Sequence, residues 1–94
     1  MLLDGTLTVR TITAAHAALL KTLTEQQEVY VDCGAAESVD LSLIQLLLSA
    51  RLSARQEGKH IALAAPVAGP LRAVLEQAGL LSPTGGDPFW SGEP

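Results

Sequence analysis

Apolar residues recur along this chain in two rhythms that take turns. Over Thr6-Leu-Thr-Val-Arg-Thr-Ile12 they fall on every second position, with Leu7 and Val9 on one face and Thr6, Thr8 and Arg10 on the other. A period of two with β-branched residues predicts a strand. Asp4-Gly5, just before it, is a turn signal that fits either a hairpin or a bulge within one long edge strand. From Ala14 to Leu23 the rhythm lengthens. Ala15, Leu19, Leu20 and Leu23 fall near helical spacing in a run of strong helix formers, and Thr11 or Thr13 can cap the helix.

After the polar link Glu25-Gln-Gln27, the run Glu28-Val-Tyr-Val-Asp-Cys33 has few polar interruptions and reads as a central strand covered on both faces, flanked by Leu7 and Val9 on one side and Ile61 and Leu63 on the other. A polar loop, Gly34 to Val39, leads into the longest apolar helical run, about Ser42 to Gln56. Leu43, Leu46, Leu47, Ala50 and Ala54 make its core stripe, and Gln45, Ser49, Ser53 and Gln56 its polar one. Ile44, Leu48 and Leu52 widen the apolar face beyond what one sheet contact needs. Gly58 stops this helix. His60 to Ala65 is a further short strand ended by Pro66. Val67 to Ala78 is helical again, packing through Leu71, Val74 and Leu75 and stopped by Gly79. Pro70 fits only the first turn, so the helix begins near Ala68 or Gly69.

Strands alternating with long helices imply βαβ units: an α/β domain with a sheet of about four strands and helices packed mainly on one side. The domain spans residues 1–81, and residues 82–94, rich in Pro and Gly around Phe89-Trp90, form a tail without regular structure. A Phe-Trp pair on so aliphatic a domain is expected to fold back or to dock on a partner, a second copy included.

Composition narrows the function. At 94 residues there is room for one core. Tyr30, Phe89 and Trp90 are its three aromatics, so that core should be aliphatic. A net charge of −4 with scattered Lys and Arg excludes a nucleic-acid footprint and a primary membrane-surface role. No run approaches the roughly 20 apolar residues of a membrane helix, and the N-terminus lacks a signal-peptide pattern. The single Cys33 builds no internal disulfide and suits a reducing compartment. A soluble cytoplasmic protein is the expectation. His16 has no second ligand nearby, no Gly-rich phosphate loop precedes a helix, and no nucleophile–base order is present. Neither metal, cofactor nor catalysis is expected.

What stands out is the junction at Ser42. Hydroxyl and carboxylate groups, Ser42 and Asp40, sit where the chain becomes helix, and helix starts gather orphan N–H groups and favour negative charge. Ser42-Leu-Ile-Gln45 also fits a capping box, with Asp40 competing for the cap, a role worth roughly 1 kcal/mol.

Four stretches in this order resemble the STAS domain family of anti-sigma-factor antagonists and sulfate-transporter cytoplasmic tails. They are Leu3-Asp-Gly5-Thr-Leu7-Thr-Val9, Val29-Tyr-Val-Asp32, Asp40-Leu-Ser42-Leu-Ile-Gln-Leu-Leu47, and Gly58-Lys-His-Ile-Ala-Leu63 with Pro66 and Val74-Leu-Glu-Gln-Ala-Gly-Leu80. The antagonist pattern is Asp-Ser-Ser/Thr-Gly-Leu, whose second hydroxyl is phosphorylated by a partner kinase; that position falls on Ser42 and the Asp on Asp40. Here Leu41 replaces the first Ser and Leu43 the Gly, in which respect the chain is similar to divergent STAS proteins of phospholipid-transport and chemotaxis systems. The resemblance implies a non-catalytic bacterial interaction module. Its partner would be a kinase or anti-sigma factor, a signalling kinase, or a transport ATPase. The expected partner face is Asp40, Leu41, Leu43, Ile44, Leu48 and Leu52, with Ser42 as the switch.

Overall fold

The computed structural model describes residues 1–80 and 88–91. Among them four strands and three helices follow in the order β1 (Gly5–Leu7), α1 (Ile12–Glu25), β2 (Glu28–Val31), β3 (Ala36–Val39), α2 (Leu41–Gln56), β4 (His60–Leu63) and α3 (Gly69–Gln77), and then one 3-10 turn, Pro88–Ser91. The α/β class and the strand number are as expected. The sheet, however, is divided into two parallel pairs, β1 with β3 and β2 with β4.

The β2–β4 pair is regular, running from Glu28 opposite His60 to Val31 opposite Leu63. Beyond β2, Leu2 bridges to Asp32, where the Leu3 N–H donates to the Asp32 carbonyl at 2.8 Å and the Asp32 N–H to the Met1 carbonyl at 2.7 Å. β2 is therefore flanked on both sides, but by Met1 to Leu3 rather than by Leu7 and Val9. Leu7 instead pairs with Val39. Nor is β2 covered on both faces. Val29 and Val31 are buried, whereas Tyr30 is 50% exposed, its ring meeting that of His60 edge-on at 6.1 Å.

β3 replaces most of the polar loop expected over residues 34–39. Ala36-Glu-Ser-Val39 carries little strand signal of its own; it becomes a strand because β1 lies alongside and Ala36 reaches the core. The alternation over residues 6–12 ends early. Thr8 to Thr11 form a turn in which the Thr11 and Ile12 N–H groups both donate to the Thr8 carbonyl, at 2.9 and 2.8 Å. Thr11 occupies the cap position of α1, but its hydroxyl donates backward to the Thr6 carbonyl at 2.7 Å instead of serving the helix. Val9 is left 72% exposed.

The helices build one aliphatic core. Leu19 and Leu23 of α1, the whole predicted stripe of α2, and Leu71 and Leu75 of α3 are buried together with Val29, Val31, Ile61 and Leu63. Leu20 of α1 stays exposed, and Ala15 and Val74 pack at the margin. α1 and α2 pack on one another, α2 on β4, and α3 beside β3. Gly58 and Gly79 take left-handed conformations, φ 69° and 73°, and close α2 and α3. In both cases the next residue's N–H donates back to the helix, Lys59 to Ala54 and Leu80 to Leu75, so the last carbonyls are satisfied.

The C-terminal stretch departs from the sequence expectation. Phe89 and Trp90 are 2% and 3% exposed and join the core cluster, so the core is not purely aliphatic. The turn lies against β4, the Val67 N–H donates to the Trp90 carbonyl at 2.9 Å, and the Arg51 guanidinium of α2 sits 5.1 Å from the Phe89 ring centre. The pair folds back on the domain rather than awaiting a partner. The rest of the expected tail lies outside the described residues. No helix among the described residues is long and apolar enough to cross a membrane.

Candidate functional site

The site is built where β3 runs into α2. Val39 is the last residue of its strand, and Leu41 the first of the helix, which leaves Asp40 as the extended cap between them. A cap residue with an acceptor side chain satisfies an N–H that the helix cannot. Asp40 does this: the Ser42 backbone N–H donates to Asp40 Oδ1 at 2.9 Å. The Ser42 hydroxyl donates to the same oxygen. The second carboxylate oxygen, Oδ2, accepts from the Val9 N–H at 3.0 Å, across from the turn that follows β1.

The capping role expected of Ser42 thus belongs to Asp40, and Ser42 is the second residue of the helix, partly buried. The reason is reach. In parallel register with β1, Asp40 stands one step beyond the Leu7–Val39 pair, where it meets both the helix start and the Thr8–Thr11 turn. The Asp40 carboxyl is held below the ordinary carboxylate range, first by the Ser42 hydroxyl and then by the Val9 N–H, against an opposing push from desolvation, with the Ser42 N–H contributing least.

The expected partner face divides in two. Leu41 and Leu52 are 53% and 58% exposed, and Leu48 is half-buried. Leu43 and Ile44, in contrast, are buried in the core and are removed from that face. Because α2 packs against α1 as well as β4, its core side is wider than one stripe and takes in Ile44. Val9 was not among the expected site residues, although it is exposed and bonded to Asp40; its alternation with Leu7 reads as strand and conceals that the strand has ended.

Other sites are poorly furnished. The cavity at the C-terminal ends of β2 and β4, bounded by Val31, Cys33, Leu63, Pro66 and Leu71, holds about 50 Å³, far below the roughly 300–1,000 Å³ of small-molecule pockets. A second depression, between Leu2, Leu3 and Leu7 and the first turns of α1 at Thr11 and Ala15, holds about 310 Å³ but is widely open and has few polar groups to orient a ligand. Burial, followed by the Asp32 charge, pushes the Cys33 thiol up to about 11, which suits packing rather than nucleophilic work. Among the described residues there is no group of three or more His, Cys, Asp or Glu that could hold a metal ion.

An α/β domain of this order, with an acid-capped hydroxyl at the start of its longest helix and apolar side chains exposed along that helix, has the form of a protein-binding module. Residues 1–82 match the family described as "Mlab, STAS domain". The chain belongs to the STAS domain family. No curated protein and no solved structure matches the chain.

Proposed function

We propose that this protein is a non-catalytic regulatory module of the bacterial cytoplasm that binds a protein partner through the start and exposed flank of α2, with Ser42 as a phosphorylation switch. The observation that carries the reading is the placement of Leu41, Leu48 and Leu52, exposed or half-buried along the helix that begins at the Asp40–Ser42 pair. Apolar side chains beside a hydroxyl form a contact that a charge can undo. In the switch, Ser42 Oγ forms a bond to the terminal phosphorus of a nucleoside triphosphate held by the partner kinase. The bond from that phosphorus to the departing diphosphate breaks, and the hydroxyl proton leaves to solvent. The product adds roughly −1.5 to −2 charge beside Asp40. A helix start tolerates such charge, so the fold persists while a dry apolar contact is lost.

A second reading is favoured by the family description and by Leu41 and Leu43 in place of the antagonist's Ser and Gly. In that reading the protein is a constitutive accessory subunit of a phospholipid-transport ATPase or a chemotaxis complex, and Ser42 is never modified. One experiment separates the two. Wild type, Ser42→Ala and Ser42→Asp are used as baits in the native host, the captured proteins are identified, and the intact mass of the wild type is recorded. The switch predicts a phosphate on Ser42 and loss of the captured partner by Ser42→Asp alone. If Ser42→Asp captures as wild type does and no phosphate is found, the switch is wrong and the accessory-subunit reading replaces it.

A further inference from the structure

The turn after β1 is closed by its own residues. The Thr8 N–H donates to the Thr11 hydroxyl at 3.1 Å, that hydroxyl donates to Thr6, and the Thr11 and Ile12 N–H groups donate to Thr8. The Val9 N–H points elsewhere, to Asp40 Oδ2. The other oxygen of the same carboxylate is held by the Ser42 hydroxyl and N–H. One carboxylate therefore holds two segments: the β1–α1 turn through the Val9 N–H, and the first turn of α2 through the Ser42 N–H and hydroxyl.

From this geometry we infer that Asp40 is a positioning residue that couples Ser42 to the β1–α1 turn, so that negative charge on Ser42 Oγ releases the Val9 N–H from the carboxylate. The inference rests on the phosphorylation reading for its trigger and goes beyond it by adding a second element. The physical argument is short. A neutral hydroxyl donates to Asp40 Oδ1; a phosphorylated oxygen has no proton to donate and repels the carboxylate. Asp40 either turns away, abandoning Val9, or keeps the Ser42 N–H with altered geometry and loses the two-sided grip. Since the turn is closed internally by Thr8 and Thr11, tied back to Thr6 and continued into α1, it survives the release of the Val9 N–H.

The test needs no partner. Val9 amide exchange and its proton shift are followed by NMR on the full chain in wild type, Asp40→Asn, Ser42→Asp and Ser42→Ala. Asn at position 40 keeps one side-chain acceptor for the Ser42 N–H but turns its amide nitrogen toward Val9, so it preserves the cap and breaks the coupling. Asp40→Asn should speed Val9 exchange roughly tenfold, Ser42→Asp should speed it severalfold, and Ser42→Ala should leave it near wild type, with β2–β4 amides unchanged throughout. Equal Val9 exchange in wild type and Asp40→Asn overturns the inference. So does faster exchange in Asp40→Asn with none in Ser42→Asp, because the grip would then exist without the coupling. Absence of phosphate on Ser42 in the host is a different failure, overturning the reading of the trigger and not the amide result.

Discussion

The two strand pairs divide the labour of this domain. β2 and β4 match over four consecutive residue pairs, and their inward side chains, Val29, Val31, Ile61 and Leu63, are all buried. The β1–β3 pair matches over only three, slips in register between Gly5 and Thr6, and runs out after Leu7 and Val39. The first pair is regular and carries no candidate chemistry. The second is irregular, and the residues just past its end, Val9, Asp40 and Ser42, make the candidate site. The contrast has a physical root. A complete ladder consumes its backbone groups in pairing, whereas a ladder that stops early leaves an N–H and a helix start that a side chain must satisfy.

The sharpest way to break this comparison is to strip the regular pair of its cover. Trp90 is buried against a core that is otherwise almost aliphatic, and its turn lies on β4. Trp90→Ala should cost about 3–5 kcal/mol, a large share of the stability of so small a domain. Urea unfolding followed by circular dichroism measures it. A loss under about 1 kcal/mol would mean that the turn is an ornament and that β2–β4 closes its own core.

Trp90 also shows how far sequence reasoning reaches. The aromatic pair was legible as something needing a surface, but not which surface, because nothing local ties residues 88–91 to Val67 or Arg51. The three helices were legible almost to their ends, since Leu and Ala spacing and the stops at Gly58 and Gly79 act locally. β3 was not, because Ala36 to Val39 gains strand geometry only from β1. At the site, Asp40 and Ser42 were legible as a capping pair. Which of them caps, and that Val9 completes the group, depends on parallel register between segments some 31 residues apart. The exposed flank was read from helical spacing alone, which cannot separate Ile44, turned toward the core, from Leu52, turned outward.

A gentler probe sits at the seam between the two pairs. Cys33 follows the Asp32 bridge and precedes β3, and its thiol is pushed from 9.0 to about 11, by burial first and by Asp32 second. At pH 8 the thiolate fraction is then about a hundredfold below that of a free thiol, and alkylation by iodoacetamide should slow accordingly until urea opens the fold. The linkage has a definite sign. The unfolded thiol loses its proton near 9 while the folded one keeps it to about 11, so the contribution of Cys33 to stability falls as pH rises between those values. Native alkylation as fast as in urea would place the seam open to solvent and blur the boundary between the pairs.

The smallest expected effect belongs to the irregular pair and comes from Asp40. Its carboxyl is held below the ordinary 3.8 by the Ser42 hydroxyl first and the Val9 N–H second. A carboxyl with a lowered folded-state pKa contributes stability that is fully present above its unfolded value and is lost as pH falls through the folded one. Wild type should therefore exceed Asp40→Asn in melting temperature by a constant margin from neutral pH down to about 4–5, and that margin should shrink on further acidification. Thermal melts by circular dichroism between pH 7 and 2 measure it. The carboxyl lies at the surface, so the margin should be well below that of Trp90→Ala, and salt should reduce it. Curves that stay parallel to pH 2 would show that the Asp40 charge does not hold the two segments together. The end of β1–β3 would then be only a frayed edge, and its difference from β2–β4 one of length alone.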